Sequence, residues 1–457
     1  MNIASALRQL LGDDIVADDT QTLSDHSGDK WFAHEAPEVV VFARSTDDVS
    51  KLLRFANENK IPVTARGAGY GYVGSCVPVR RGIALSFVRM NQIKDINFAD
   101  AIAVVQPGVI TGDLKRAARS KKLFYPPDPA SFEHCTIGGN VATNAGGPRC
   151  LKYGVTRNYI AGLEVVLANG DVLRTGARVH KNKTGFDLIG LFVGSEGMLG
   201  MVSEITVKLL PLPPARVTLS ASFDTMSDAA AMVQQIFAAG FLPSSLEIAD
   251  KFTLEAARHD SGANRVPPGN AHLLVDLDGQ EEAVTVEMEK VRDLIKDRKP
   301  SALEVATNET DCEKLWALRR EFSNSLRATG LTKLNEDIVV PRSRLVDLIA
   351  FAEGLSERSG FPIACFGHAG DGNIHVNIMA DRYNREAAVR EKVQVVLDEL
   401  FAQVLGWGGV ITGEHGIGLA KKRWWSQASD EVARGLHQTL KRALDPNNIL
   451  NPGKFLD

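Results

Sequence analysis

The sequence of 457 residues predicts an α+β protein with more than one domain. Three observations carry that expectation. A strand–helix–strand pattern begins at Val39. Pro211, Pro213 and Pro214 interrupt the chain near its middle. Beyond them strands and helices alternate, which suits an antiparallel sheet with helices on one face.

Composition narrows the class. At 44% hydrophobic and 24% charged, the chain has ordinary globular texture. A formal net charge of −4 argues against a nucleic-acid binder. Cys76, Cys135, Cys150, Cys312 and Cys365 are scattered and form no C-x-x-C pair, which suits a reducing compartment. No apolar run is long enough for a membrane span, and Arg8 interrupts the short amphipathic N-terminal helix, so it is not read as a signal peptide. A soluble cytoplasmic protein is expected, with peripheral contact at the inner membrane left open.

In chain order, Val39–Phe42 reads as a strand and 47–60 as a helix. Ser45 or Thr46 can cap that helix, and Val49, Leu52, Leu53 and Ala56 form its apolar stripe. A second strand at 62–65 leads into R-G-A-G-Y-G-Y-V-G, from Arg66. Gly69, Gly71 and Gly74 fit G-x-G-x-x-G, but Pro78 and β-branched residues follow instead of a helix. The stretch is therefore not a nicotinamide fingerprint. It reads either as a structural turn or as another kind of pyrophosphate loop, with Arg66 as a counter-charge.

A strand at 101–106, a helix at 111–122 and the stiff Phe124-Tyr125-Pro126-Pro127-Asp128-Pro129 lead to T-I-G-G-N-V-A-T-N-A-G-G, from Thr136. Its four glycines, two asparagines and two threonines carry no charge. Backbone N–H groups in such a loop can surround an anion, and the neutral side chains add hydrogen bonds. A Gly-rich turn between strands is the plainer alternative. Asn169-Gly170 predicts a hairpin between strands at 162–168 and 171–174. F-V-G-S-E-G-M-L-G, from Phe192, is a third glycine-rich turn, and a strand at 205–209 follows.

In the second half, strands are expected at 217–222 and 272–276, and helices at 228–239, 281–297 and 315–328. The last helix holds Arg319 and Ser323, four apart and so on one face, and Lys333 follows it. Arginine suits bidentate carboxylate recognition. F-G-H-A-G-D-G-N-I-H-V-N places His368 and His375 on either side of turn-forming residues, so the chain can fold back and bring both imidazoles together. Asn377 shares a strand face with His375. I-T-G-E-H-G-I-G adds Glu414 and His415. Two histidines and a carboxylate are a credible divalent-metal set with open positions.

Taken together these motifs, with K-Y-G from Lys152 and the tail L-D-P-N-N-I-L-N-P-G-K, resemble the flavin-linked D-2-hydroxyacid dehydrogenases of the vanillyl-alcohol oxidase/p-cresol methylhydroxylase (PCMH) fold. The resemblance covers nearly the whole chain and includes D-lactate dehydrogenase, the glycolate oxidase D subunit and D-2-hydroxyglutarate dehydrogenase. It implies a two-part PCMH-type FAD-binding domain over 1–212, with its core at about 34–212. A cap follows over 213–405, and a segment over 406–457 returns to the FAD domain.

The resemblance also implies site roles. FAD would be held by Arg66, Gly67, Ala68, Gly69, Tyr70, Gly71, Asp128, Thr136, Gly138, Gly139 and Asn140, with Thr143, Asn144, Gly194, Glu196 and Gly197 along the flavin. His368, His375 and Glu414 would bind a divalent metal, zinc or manganese. His415 would take the hydroxyl proton, Arg319 and Lys333 would clamp the carboxylate beside Asn377, and hydride would pass to flavin N5. Tyr70 replaces the usual threonine, where some relatives on the fold carry a flavin-linked histidine, so a covalent tyrosyl link is one hypothesis. Ser75 stands where a third glycine is common. The implied substrate is a D-lactate or glycolate type of acid. D-2-hydroxyglutarate is the rival, and a subunit of a larger electron-transfer complex or a non-redox synthase are further alternatives. A quinone, cytochrome, electron-transfer flavoprotein or partner subunit would accept the electrons.

Overall fold

The computed structural model describes residues 2–262 and 266–456. The chain divides into two compact units. The first comprises Met1–Gly146, Val155–Leu212 and Glu414–Asp457, and the second Gly147–Gly154 and Pro213–Gly413. Among the described residues no helix is long and apolar enough to cross a membrane.

In the first unit, strands Val39–Phe42, Ile83–Ser86 and Val63–Arg66 lie parallel in that spatial order, with Val16–Ala17 antiparallel at the edge. Helix Thr46–Glu58 makes the crossover. The Ser45 hydroxyl accepts from the Asp48 N–H, and Asp47 and Asp48 complement the positive end of the helix. Val49, Leu52, Leu53 and Ala56 are wholly buried against Val39, Val41, Val63 and Leu85. A second, antiparallel sheet runs Ile93–Asn97, Ile102–Val105, Met201–Lys208, Ile160–Val166, Val172–Gly176. Its last pair is the Asn169-Gly170 hairpin, where Gly170 has a φ of +83°. The tail packs into this unit: Asn451 donates through its amide to the Ser75 and Glu196 carbonyls, and buried Lys454 reaches the Val77 carbonyl.

The second unit is a seven-stranded antiparallel sheet in the order Ala302–Ala306, Ala215–Phe223, Ala271–Gly279, Ser245–Ala249, Ile363–His368, Asn373–Ala380, Thr332–Val339. Strand side chains alternate between faces, and the register sorts this sheet sharply. One face collects Leu219, Ala221, Leu246, Ile248, Leu273, Val275, Val376 and Ile378, all buried and apolar. The other collects Asp276, Glu247, His368, His375, Asn377, Asp337 and Lys333. Residues of both parities are buried, so helices on one face, the sequence expectation, fall short: both faces are covered. Helix Glu309–Ala328 lies on the polar face. Trp316 donates from Nε1 to Asp276 at 3.1 Å, and Arg319 and Ser323, three and seven positions on, face the sheet with it.

Candidate active site

Three glycine-bearing segments converge within the first unit. A Cβ on Gly67 would lie 2.4 Å from the Thr136 hydroxyl, and one on Gly138 would lie 2.5 Å from the Pro107 Cβ, so only glycine permits these approaches. Gly194, with a φ of +84°, stands 3.4 Å from the Asn144 Cβ by the same measure. The Gly194 and Glu196 N–H groups donate to the Val141 and Ala142 carbonyls.

The stretch from Thr136 is a short helix, Ile137–Thr143, rather than the open glycine loop expected. Thr136 caps it by accepting from the Gly139 N–H, and Asn144 ends it in the left-handed region at φ 54°. Asn140, 3% exposed, donates its amide to Thr111, and Thr143 bonds back to the Gly139 carbonyl. The side chains of Thr136, Asn140 and Thr143 thus make bonds that hold the segment itself.

The open donors lie in the first loop. Among the described residues, none accepts a hydrogen bond from the backbone N–H of Gly67, Ala68, Gly69, Tyr70 or Gly71. Unpaired backbone donors in sequence are what a pyrophosphate needs. Arg66 borders this loop, and its side chain bonds within the protein. Its guanidinium donates to the Gly28 and Asp25 carbonyls and packs where a Gly69 Cβ would be, which explains a glycine at a φ of +72°. Tyr70 stacks on His134 at 4.9 Å, with Lys30 over its ring. Asp128 is half-buried at the end of a segment pinned by Lys115, whose ammonium donates to the Tyr125, Pro126 and Pro127 carbonyls.

The Glu196 side chain is also committed within the protein. Its buried carboxylate accepts from the Ser75 hydroxyl at 2.6 Å and from the Ile417 and Gly418 N–H groups at 2.8 and 3.0 Å. Burial raises its pKa, and those bonds oppose the rise. It anchors the segment after His415, with Gly197 (φ +71°) completing the turn. His415 stacks on Tyr72, with ring centroids 5.3 Å apart.

In the second unit, His368 and His375 bring ring nitrogens within 4.8 Å of one another. Sequence reasoning missed the residue that organises them. Glu247, 1% exposed and directly opposite His368 in register, holds the His368 Nδ1 at 2.6 Å and the Arg319 Nε at 2.7 Å. Burial pushes its carboxyl up, but His368 and Arg319 outweigh that and hold it below the usual carboxylate range. Arg319, 8% exposed, lies 4.9 Å over the Phe366 ring, and its Nη groups donate to no described residue. Lys333 donates to Ser323 at 2.6 Å; burial, with Arg327 and Arg319 adding, pushes its ammonium down to about 7.

Asn377 is fully buried and donates its amide to the Ala364 and His375 carbonyls, leaving Oδ1 with no partner among the described residues. Asp337, a second residue missed, accepts from Asn373, Thr412 and the Gly413 N–H at 2.8, 2.9 and 3.0 Å. It thereby fixes the chain immediately before Glu414 and His415. The alternation Lys333, Asn335, Asp337 against Leu334 and Ile338 was the available signal.

Known proteins and families resemble this chain over most of its length. The C-terminal domain of FAD linked oxidases matches residues 212–455, and an FAD binding domain matches residues 37–176. The glycolate oxidase subunit GlcD of Bacillus subtilis (strain 168) is 41% identical over 92% of this chain and 89% of its own length. A D-lactate dehydrogenase of Anaerostipes hadrus is 34% identical over 98% of this chain and 94% of its own. Substrate-bound p-cresol methylhydroxylase shares the fold, with a TM-score of 0.81 at 22% identity, over 99% of this chain and 96% of that one.

Proposed function

The chain belongs to the family of FAD-linked oxidases, and from that premise we propose that it oxidises a D-2-hydroxy acid, of the D-lactate or glycolate type, to the 2-oxo acid. One observation carries the substrate class: a single buried carboxylate, Glu247, holds both Arg319 and His368. A 2-hydroxy acid has a carboxylate and a hydroxyl on adjacent atoms. Arg319 offers two uncommitted Nη groups to the first, and His368 with His375 offers a metal-binding pair for the second.

The chain has residues suited to FAD and to the divalent metal of this proposal. The backbone N–H groups of Gly67 to Gly71 would hold the FAD pyrophosphate, and His368, His375 and Glu414 would hold zinc or manganese. When bound, FAD accepts two electrons from the substrate carbon, and the metal acidifies the substrate hydroxyl. Arg319, helped by Lys333, binds the carboxylate and fixes the reacting carbon. His415 receives the hydroxyl proton. Asp337 keeps Thr412 and Gly413 in place, so that Glu414 and His415 start from a fixed point.

The cations Arg319, Arg327 and Lys333 also supply the observation that keeps D-2-hydroxyglutarate as the rival substrate, since a second carboxylate would relieve their mutual repulsion. The name of the Bacillus relative favours a further possibility, that the chain works as the flavoprotein subunit of a complex passing electrons to a quinone, cytochrome or electron-transfer flavoprotein. The test is anaerobic flavin bleaching by D-lactate, L-lactate, glycolate, D-2-hydroxyglutarate and D-malate, each added alone. Rapid bleaching by D-lactate or glycolate is expected. Bleaching by D-2-hydroxyglutarate alone selects the rival, and a yellow protein that none of them bleaches defeats the isolated-enzyme reading.

A further inference from the structure

We infer that Glu247 is a positioning residue that sets two groups at once: the ring tautomer of His368 and the direction of the Arg319 fork. The inference rests on the function proposed above and deepens it.

The geometry is specific. Glu247 sits mid-strand in Ser245–Ala249, where Leu246 and Ile248 point to the apolar face and its own carboxylate stays on the polar one. An ionised carboxylate only accepts hydrogen bonds. Its contact with the His368 Nδ1 therefore requires the proton on Nδ1, which in the neutral ring leaves the lone pair on Nε2, the atom a metal would use. Its second oxygen takes the Arg319 Nε and not an Nη, so the two-pronged end of the guanidinium stays available for a substrate carboxylate. A carboxylate that merely neutralised Arg319 would have no need of the histidine. One that merely oriented the histidine would leave Arg319 buried without a counter-charge.

Glu247→Gln separates these duties without changing size. The glutamine amide has one accepting oxygen and one donating NH2. Arg319 Nε can only donate, so the amide oxygen turns to it. The NH2 then faces His368 Nδ1 and forces the other tautomer, with the proton on Nε2. The expected result is about 10–100-fold weaker binding of zinc or manganese by FAD-loaded, chelator-treated protein. The KM for D-lactate, measured at saturating metal, should move by less than the metal affinity does. Full FAD content checks that the first unit is intact. Unchanged metal affinity in a folded E247Q protein overturns the inference.

A measurement on the unaltered chain covers the case in which E247Q does not fold. The 15N shifts of His368 in metal-free holoenzyme should report a protonated Nδ1 and a lone pair on Nε2. The opposite tautomer overturns the inference. If the unaltered protein binds no metal yet shows the Nδ1–H tautomer, the metal part of the proposed function fails while the role of Glu247 stands.

Discussion

The two units prepare for their ligands by opposite means. In the first, recognition is built from backbone. Donors stand in sequence along Gly67 to Gly71, close approaches exist because side chains are missing, and the charged groups nearby, Arg66 and Glu196, are consumed by the protein itself. In the second, the proposed recognition would be built from charge. Two histidines and a lysine on one polar sheet face meet an arginine from the helix above it; buried Glu247 holds His368 and Arg319, and buried Asp337 holds Asn373 and Thr412. A backbone site fails when shape is spoiled, whereas a charge site fails when a counter-charge is removed. Substitutions in the two units should therefore leave different signatures.

The largest expected effect is on chemistry alone. His415→Ala should retain FAD yet reduce its flavin about 10²–10⁴-fold more slowly with the best hydroxy acid, the usual span for a lost general base. Near-normal flavin reduction in stopped flow would remove His415 from that role. Arg319→Leu comes next. It would delete the proposed carboxylate clamp and take Arg319 from Glu247, so kcat/KM should fall by a factor worth about 2–5 kcal/mol, mostly through KM. FAD content should be untouched, and simultaneous loss of flavin would show that the two sites are not separable in this way. Gly67→Val is the converse experiment. A side chain driven against Thr136 should weaken FAD binding, read by equilibrium dialysis, by about tenfold or more while zinc or manganese affinity stays near normal. Asp337→Ala should cost about 1–3 kcal/mol of stability through buried donors left unpaired, and should lower kcat by loosening the segment before Glu414.

The same contrast explains what could be read in the sequence. Glycine and proline punctuate a chain visibly, so the cofactor segments, the Asn169-Gly170 hairpin and the proline boundary stood out. The histidine turn did too, because A-G-D-G-N has to fold back. The helix after Thr136 was hidden because Ile-Gly-Gly-Asn-Val-Ala-Thr has poor intrinsic helix propensity; the Thr136 cap and the packing of Gly138 on Pro107 override it. Glu247 was hidden for a deeper reason. In Ser-Ser-Leu-Glu-Ile-Ala-Asp a lone glutamate reads as the solvent side of a strand. Its meaning comes from register against His368, 121 residues away. Arg66 and Glu196 carry bonds to distant segments that a charge beside a glycine motif does not announce.

Lys333 sets its proposed function against stability on the polar sheet face. Its ammonium is held near 7 by burial and by the neighbouring Arg327 and Arg319 charges. An unfolded lysine titrates near 10.4. Between those values the unfolded chain binds the extra proton, so this group makes stability rise with pH from about 7 towards 10. In its proposed role the dependence runs the other way: the charged form would attract the substrate carboxylate below 7 and would be lost as pH rises through that value. KM for the hydroxy acid should therefore increase several-fold from pH 6 to pH 8.5 in the unaltered protein. Lys333→Met should flatten that increase, raise KM at pH 6, and make the protein more resistant to denaturant at pH 6 than the unaltered chain, because a buried charge has been replaced by an apolar side chain of similar length. A variant that loses stability at pH 6 would mean that the bond from Lys333 to Ser323 outweighs the repulsion from the two arginines. The polar face would then be held by its hydrogen bonds more than by its charges.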